Sequence, residues 1–201
     1  STLARSSAAS DVYKRQAPGS APAVNDAMVS WTDIAPTVLD WTGVAPPAAY
    51  KLSGTSLLPI LGKAGDPARD AVVASHDFHE INQYYPMRSI RTRTHNYILN
   101  LAWQLPYPIA GDVAGSPSWK AISADPALPL GKRSQAAYLQ RPAEELYDLT
   151  RDPDELVNVA ADPAYAAIKA QLAERLRAIR GETRDPWLAG QTDPYSHVGQ
   201  H

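Results

Sequence analysis

The segment Ser75-His-Asp-Phe-His-Glu80 brings together three side chains that can hydrogen-bond a polar ligand. The imidazoles of His76 and His79 can each donate and accept a hydrogen bond, and the carboxylate of Glu80 can accept several. Because the segment follows a predicted strand, we expect it to be a loop that lines a binding pocket. Two other interpretations remain open. The polar groups bind only water or one another, or they form a metal site, although their spacing does not match a helical histidine pair at i and i+4.

A fourth candidate is Arg88, which lies in a predicted strand over residues 87–93. Its planar guanidinium can hold a sulfate or a carboxylate through two parallel hydrogen bonds. Arg91 and Arg93 alternate onto the other face of this strand, together with Met87. We expect their stems to cover the sheet while their charged groups reach water.

An acidic turn at Asp152-Pro-Asp-Glu155 has the composition of a calcium loop but not its pattern. Pro153 restricts the backbone, and the turn lacks both a glycine and a terminal bidentate glutamate at the required spacing. We therefore predict a structural turn. His95, in another predicted turn at residues 94–96, is expected to be solvated.

Short strands are expected to position these residues. Apolar runs and alternating patterns predict four strands, of which the second and third form a hairpin: residues 70–75, 87–93, 97–101 and 145–149. Residues 102–143 contain prolines and glycines with weak periodicity, which predicts a long loop, either functional or inserted. Its aromatic residues either stack on sugar rings or pack against another domain: Trp103, Tyr107 and Trp119.

Two helices are also predicted. The first lies within residues 28–44, with Thr32 or Asp33 as N-cap and Gly43 just beyond its end. The second begins after a cap at Asp162 and ends near Gly181. Its apolar residues recur at spacings of three and four, which predicts packing against the sheet: Tyr165, Ile168, Leu172, Leu176 and Ile179.

The composition excludes several classes of function. The 201 residues carry 19 basic and 21 acidic side chains, and a formal charge of −2 offers no electrostatic basis for binding nucleic acid or an anionic membrane. The chain has no cysteine, which excludes a disulfide framework and a thiolate metal site. No apolar run approaches the roughly 20 residues that span a bilayer. Residues 1–27 are rich in Ser, Ala and Pro and are predicted to be disordered or non-native.

Four motifs, in the right order, resemble segments of the sulfatase family. They are Ser30-Trp-Thr-Asp-Ile-Ala-Pro-Thr37 with Gly43, Gly54-Thr-Ser-Leu-Leu-Pro-Ile-Leu61, Arg88-Ser-Ile-Arg-Thr92, and the segment from Glu144 to Ala160. A narrower set resembles the sulfamidase (heparan N-sulfatase) branch of that family. It comprises His79-Glu80, Tyr85-Pro-Met-Arg-Ser-Ile-Arg91, Asn100-Leu101 with Leu105-Pro-Tyr-Pro-Ile109, Ser116-Pro-Ser118 and Glu182-Thr-Arg-Asp-Pro-Trp187.

The resemblance implies an α/β fold in two parts. Residues 28–62 would be the last elements of a large alkaline-phosphatase-like sandwich. Residues 63–188 would form a C-terminal subdomain, an antiparallel four-stranded sheet packed by a terminal helix, and residues 189–201 a tail. The strands and the helix predicted from the residues alone match that subdomain.

The resemblance also implies an enzyme that hydrolyses sulfate esters or sulfamates on sugars or glycosaminoglycans, using formylglycine and calcium. The family's nucleophile motif, Cys or Ser followed by x-Pro-x-Arg, and its Asp-Asp and Asp-Asn calcium ligands have no counterpart in this chain. We therefore expect no catalytic residue, no bound cofactor and no activity in the chain itself, and a missing N-terminal domain that supplies them. His76, His79, Glu80 and Arg88 would form a wall of the sugar pocket. A periplasmic, secreted or lysosomal location is implied.

Two alternatives remain open. Another hydrolase of the alkaline phosphatase superfamily would cleave phosphonate or phosphate monoesters, and the upstream nucleophile motif would distinguish it. A stand-alone carbohydrate-binding module would need a self-sufficient fold. If the chain is a piece of an enzyme, the apolar face of its first helix is left uncovered and its solubility is poor: Ile34, Val38 and Trp41.

Overall fold

The computed structural model describes residues 24–46, 48–79 and 83–188. The described residues belong to two units, and the boundary in the sequence lies between Asp70 and Ala71. A backbone hydrogen bond joins the beginning and the end of the described part of the first unit: Met28 N donates to Arg69 O at 3.0 Å. The sequence boundaries predicted after residues 27, 62 and 188 stay predictions, and residues 1–23 and 189–201 lie outside the described part.

The first unit is built around one helix, α1 (Ile34–Thr42), which follows a 3-10 turn at Trp31–Asp33. Gly43 ends the helix with a φ of 69°, as its predicted position requires. The apolar face of α1 is exposed, as predicted, and Trp41 is 69% accessible. None of the described residues of the first unit therefore covers this face.

The N-cap residue of α1 is Asp33, one of the two predicted, but its side chain makes no capping hydrogen bond. Ser30, rather than Thr32, accepts the capping hydrogen bond at the start of the 3-10 turn. Asp33 occupies the N-cap position of α1, but its buried carboxylate accepts hydrogen bonds from Thr55 N and Arg69 Nη1, each at 2.9 Å. Asp33 thus ties the helix start to two later segments, a role that its local sequence does not reveal.

The second unit contains the predicted antiparallel four-stranded sheet, in the order β1-β2-β3-β6. The hairpin between β2 and β3 is confirmed, but its turn lies at residues 93–94, so His95 is the first residue of β3. A separate two-stranded pair joins β4 to β5. The strands are β1 (Ala71–His79), β2 (Gln83–Thr92), β3 (His95–Asn100), β4 (Pro129–Leu130), β5 (Arg133–Ser134) and β6 (Glu144–Asp148).

One face of the sheet packs against a long helix at Ala166–Glu182, as predicted. The core between them consists of Ile90, Tyr97, Leu146, Leu172 and Leu176. The cap at Asp162 is confirmed, because its side chain accepts a hydrogen bond from Ala164 N at 2.9 Å. The helix ends at Glu182, one residue beyond Gly181, so the predicted end is confirmed. The residue that adopts the left-handed conformation beyond this end is Arg184, with a φ of 53°, and not Gly181.

The other face of the sheet carries buried polar side chains and is contacted by the segment of residues 102–143, the covering segment. The prediction of a long loop for this segment is wrong. This segment contains β4, β5 and three short helices: α2 (Gly111–Gly115), α3 (Pro117–Ser123) and α4 (Gln135–Leu139). The long helix that follows is α5. Gln135 orders the segment, because its buried amide donates to the carbonyls of Ile122, Asp125 and Leu128 at 2.7–2.9 Å. No helix in the described part of the chain is long and apolar enough to cross a bilayer.

The outer edge of β6 is closed by the segment that follows the acidic turn. Asn158 Oδ1 accepts a hydrogen bond from Leu146 N at 2.9 Å, and Asn158 Nδ2 donates to Glu144 O at 3.1 Å. Val159 N then donates to Leu146 O at 2.8 Å. An edge strand that would otherwise present free backbone groups is thereby paired.

Candidate functional site

The segment that carries the predicted binding residues is a strand, not a loop. His76, Asp77 and His79 all belong to β1, opposite β2. Between His76 and Phe78 the register shifts, so that the two residues Tyr85 and Pro86 of β2 stand opposite Asp77 alone. Such a bulge accommodates a proline, which has no N–H for the ladder. The prediction of a loop is wrong because the bulge lets a polar segment stay in the sheet.

The bulge orients His76. The ring of His76 donates a hydrogen bond from Nδ1 to the carbonyl of Tyr85 at 3.0 Å, which is the role that a carbonyl partner requires. In the neutral ring, Nε2 then remains as an acceptor. His79 is exposed and pairs with Gln83, and Glu80 lies outside the described residues. His76 and His79 thus both lie near the end of β1, one on each side of the position opposite the bulge.

Arg88 is held by carboxylates of the chain itself. Its Nε and Nη2 donate to the two oxygens of Asp185 at 2.8 and 2.9 Å, and its Nη1 donates to Asp77 Oδ1 at 2.7 Å. The guanidinium also lies over the ring of Trp187, 5.0 Å from its centroid. The two-pronged carboxylate contact expected of Arg88 is therefore made with Asp185, and the side chain is only 6% exposed.

Asp185 is a residue that the sequence interpretation missed. Besides Arg88, it accepts hydrogen bonds from Arg180 Nε at 2.7 Å and from Trp187 N at 3.1 Å. Burial acts to raise the pKa of the Asp185 carboxyl, but these hydrogen bonds outweigh burial and hold the pKa below its usual range. The available signal was the Asp185-Pro-Trp187 motif directly after the helix.

A second buried polar cluster lies on the opposite face of the sheet and was also missed. Glu145 accepts hydrogen bonds from Asn100 Nδ2 at 2.6 Å, from Arg141 Nε at 2.7 Å and from the Tyr147 hydroxyl. Burial acts to raise the pKa of Glu145, but hydrogen bonds from Arg141 and Tyr147 hold it below its usual range. Nearby, burial raises the pKa of Tyr85 to about 12. These groups anchor the covering segment to the sheet.

The aromatic residues of that segment differ in their surroundings. Tyr107 packs against Tyr85 and Tyr138, with ring centroids 5.0 and 5.4 Å away. These neighbours belong to the same unit, so the contacts are not the packing against another domain that one interpretation expected. Trp103 is 46% exposed, and its stacking on a sugar stays a prediction.

The acidic turn is structural, as predicted. Asp152 Oδ2 accepts a hydrogen bond from Val157 N at 2.7 Å, and Glu155 forms an ion pair with Arg91 and accepts a hydrogen bond from Asn96 at 2.9 Å. The charged group of Arg91 therefore binds Glu155, whereas it was expected to reach water. Across the described residues, no three His, Asp or Glu side chains lie close enough together to hold a metal ion.

The chain is 35% identical to the N-sulphoglucosamine sulphohydrolase of Homo sapiens over 175 residues, which are 82% of this chain and 34% of that protein. It is 28% identical over 178 residues to an ulvan-active sulfatase from Formosa agariphila, covering 88% of this chain and 31% of that protein. The chain thus spans about a third of the length of both relatives. PehA of Trinickia caryophylli, a multifunctional alkaline phosphatase superfamily protein, is 28% identical over 150 residues, 74% of this chain and 23% of that protein. No model of a known protein family matches the chain.

Solved structures share the fold. A 2-O GAG sulfatase aligns with a TM-score of 0.51 and 24% identity, over 78% of this chain and 26% of that chain. A protein solved in complex with its substrate, D-glucosamine-2-N,6-O-disulfate, aligns with a TM-score of 0.50 and 22% identity, over 82% of this chain and 25% of that chain. At these identities the likeness establishes the fold of the aligned part.

Proposed function

Since the chain belongs to the sulfatase family, we propose that it is the C-terminal portion of an enzyme that hydrolyses sulfate esters or sulfamates on sugars. One observation carries the proposal: 35% identity with N-sulphoglucosamine sulphohydrolase across 82% of this chain. The fold it shares with a 2-O GAG sulfatase agrees with this assignment. An N-sulfated glucosamine, as found in heparan-type glycosaminoglycans, is the substrate that the proposal favours.

Within that enzyme, the end of β1 is proposed to form one wall of the sugar pocket. The ring of His79 is exposed, and we propose that it and the Nε2 atom of His76 hydrogen-bond hydroxyl groups of a sugar. Glu80 belongs to the same proposal by sequence alone. Arg88, buried among Asp77 and Asp185, supports the wall from behind.

The formylglycine and the calcium ion of the family do not fit the residues described in this chain. The chain has no Cys-x-Pro-x-Arg or Ser-x-Pro-x-Arg motif, and the described residues hold no cluster of three His, Asp or Glu that could bind a metal. We therefore propose that both groups belong to a part of the enzyme outside this chain. This chain's role would be to bind and orient the sugar, which lowers the entropic barrier of the reaction.

The test compares the complete enzyme with the 201-residue chain. We expect the complete enzyme to release sulfate from glucosamine N-sulfate and the isolated chain to release none, as measured by ion chromatography. Sulfate release by the isolated chain would show that it carries its own nucleophile. Failure of the complete enzyme on every sulfated sugar would refute the function.

A variant pair tests the wall itself. Replacing His79 with Ala in the complete enzyme should raise KM for glucosamine N-sulfate and leave kcat almost unchanged, because a contact with the sugar acts equally in the ground and transition states. His95→Ala is the matched control, since His95 lies at the far end of the sheet, opposite Asp148. Equal KM values for both variants would exclude His79 from the pocket.

A second candidate function rests on the likeness to PehA, a multifunctional member of the alkaline phosphatase superfamily. A hydrolase of phosphonate or phosphate monoesters would share this part of the fold. Including a phosphonate monoester in the substrate panel distinguishes the two functions. A stand-alone carbohydrate-binding module would instead bind glucosamine N-sulfate tightly as the isolated chain, which isothermal titration calorimetry measures.

A further inference from the structure

Asp185 joins two arginines that are far apart in the sequence. Arg88, on β2, precedes it by 97 residues, whereas Arg180 belongs to the last turns of α5. The side chains of Asp185, Arg88 and Arg180 are 5%, 6% and 3% exposed. One buried carboxylate therefore holds the end of the long helix against the second strand of the sheet.

The charges of this cluster balance only when Asp185 is ionised. Arg88 and Arg180 contribute two positive charges, and Asp77 and Asp185 two negative ones. Asp185 is the carboxylate that both guanidinium groups share. The Nη2 atom of Arg180 is buried and has no hydrogen-bond partner among the described residues. Removing the charge of Asp185 would leave two buried cations with Asp77 alone.

The cluster reaches the proposed sugar wall through Arg88. Its Nη1 donates to Asp77 Oδ1 at 2.7 Å and to the carbonyl of His76 at 3.2 Å. Asp77 is the β1 residue opposite the bulge, directly between His76 and Phe78. The position of the guanidinium therefore sets the path of the backbone that leads to His79.

We infer that Asp185 is a positioning residue of the sugar site: by fixing Arg88 and Arg180 together, it holds the part of β1 opposite the β2 bulge in the conformation that presents His76 and His79. Asp185 itself is buried behind the sheet and does not touch the substrate. The inference deepens the proposed function and rests on it. It assigns a role to the segment after α5, which the proposed function leaves without one.

The test measures kcat and KM of the complete enzyme for glucosamine N-sulfate. Asp185→Asn keeps the size of the side chain and removes its charge, and we expect KM to rise about tenfold while kcat changes by less than about twofold. Asp185→Glu keeps the charge and should return KM to within about threefold of the original value. Glu174→Gln is the control, because Glu174 pairs with Arg177 on the exposed side of the same helix.

A second measurement does not depend on turnover. In the isolated chain, hydrogen exchange of the backbone amides at residues 76–79 should be faster in Asp185→Asn than in Glu174→Gln, while the amides of β3 stay equally protected. A uniform increase across the whole sheet would indicate a purely structural role and overturn the inference. Where Asp185→Asn does not fold, Arg88→Lys, which keeps the charge but loses the two-pronged contact with Asp185, is compared with Glu174→Gln in its place.

The outcomes separate the inference from the function on which it rests. If His79→Ala raises KM and folded Asp185→Asn does not, the positioning role is refuted and the sugar wall stands. If neither variant changes KM, the wall is refuted and the inference falls with it. A tenfold rise in KM for both variants, with rescue by Asp185→Glu, supports both.

Discussion

Two buried ionised side chains organise the sheet, one on each face. Arg88 faces α5 and binds Asp77 and Asp185, whereas Glu145 faces the covering segment and binds Arg141. Each is surrounded by partners that compensate for its loss of hydration. Removing one partner of such a pair lowers the free energy of unfolding by more than the intact pair contributes to it, because the remaining charge is left buried and unpaired.

Glu145→Gln tests this for the polar face. At neutral pH the variant should lower the free energy of unfolding by about 3 kcal/mol, because Arg141 keeps its charge without a counter-charge. The pKa of Glu145 is depressed in the folded state, so its stabilisation is fully present above the unfolded pKa and is lost as the pH falls through the folded value. The difference between the two proteins in urea unfolding should therefore be constant above about pH 5 and shrink below it.

The matched control is Glu174→Gln. Glu174 and Arg177 form an exposed pair on α5, and such pairs contribute little. We expect the free energy of unfolding to change by less than about 0.5 kcal/mol. A similar loss in both variants would show that the burial of Glu145 has no special energetic role.

At the level of elements, the sheet is stabilised at its β6 edge by one side chain that imitates a strand. The side-chain amide of Asn158 accepts a hydrogen bond from Leu146 N and donates one to Glu144 O, so it pairs with one N–H group and one C=O group at the edge of β6. The resemblance to the sulfatase motif includes this asparagine, and the structure supplies its physical reason. An edge left open would expose backbone groups to water or to another chain.

Asn158→Ala should therefore loosen β6 locally. We expect a loss of about 1 kcal/mol in the free energy of unfolding, since two hydrogen bonds are exchanged for contacts with water at an exposed site. Hydrogen exchange at the Leu146 amide should become faster. Asn158→Asp keeps the acceptor for Leu146 N and should retain most of the protection at that amide. Slow exchange in Asn158→Ala would mean that Val159 alone closes the edge.

The covering segment shows where element prediction fails. Residues 102–143 have weak periodicity because their order does not come from one continuous helix or strand. It comes from Gln135, which binds three carbonyls, and from the contacts of Tyr107 with Tyr85 and Tyr138. Such contacts leave no regular pattern in the sequence.

Across the whole molecule, apolar side chains remain exposed on the first unit. Trp31 is 83% accessible, and the face of α1 adds three more large side chains: Ile34, Val38 and Trp41. A contiguous apolar face of this kind favours association of the isolated chain. This exposure agrees with the expectation that α1 packs against a part of the enzyme outside this chain.

The double substitution Ile34→Glu/Trp41→Gln should raise the solubility of the isolated chain severalfold and shift the elution of the chain toward the monomer in size-exclusion chromatography with light scattering. It removes apolar surface and moves the net charge further from zero. Val157→Glu is the control, because Val157 is an exposed apolar residue away from α1. If Val157→Glu raises the solubility by the same factor, the effect comes from the added charge alone.

Local patterns in the sequence sufficed for the four strands of the larger sheet, the hairpin, α5 and the end of α1 at Gly43, because caps, turns and periodicity act over a few residues. Motif likeness added the family. Only the tertiary structure decided the length of β1, the bulge opposite Asp77 and the partner of Arg88. Asp185 reaches Arg88 across 97 residues because α5 packs on the sheet and returns the chain to it. The partner of a buried charge is a residue that the fold brings close to it, and the sequence around the charge does not reveal which residue that is.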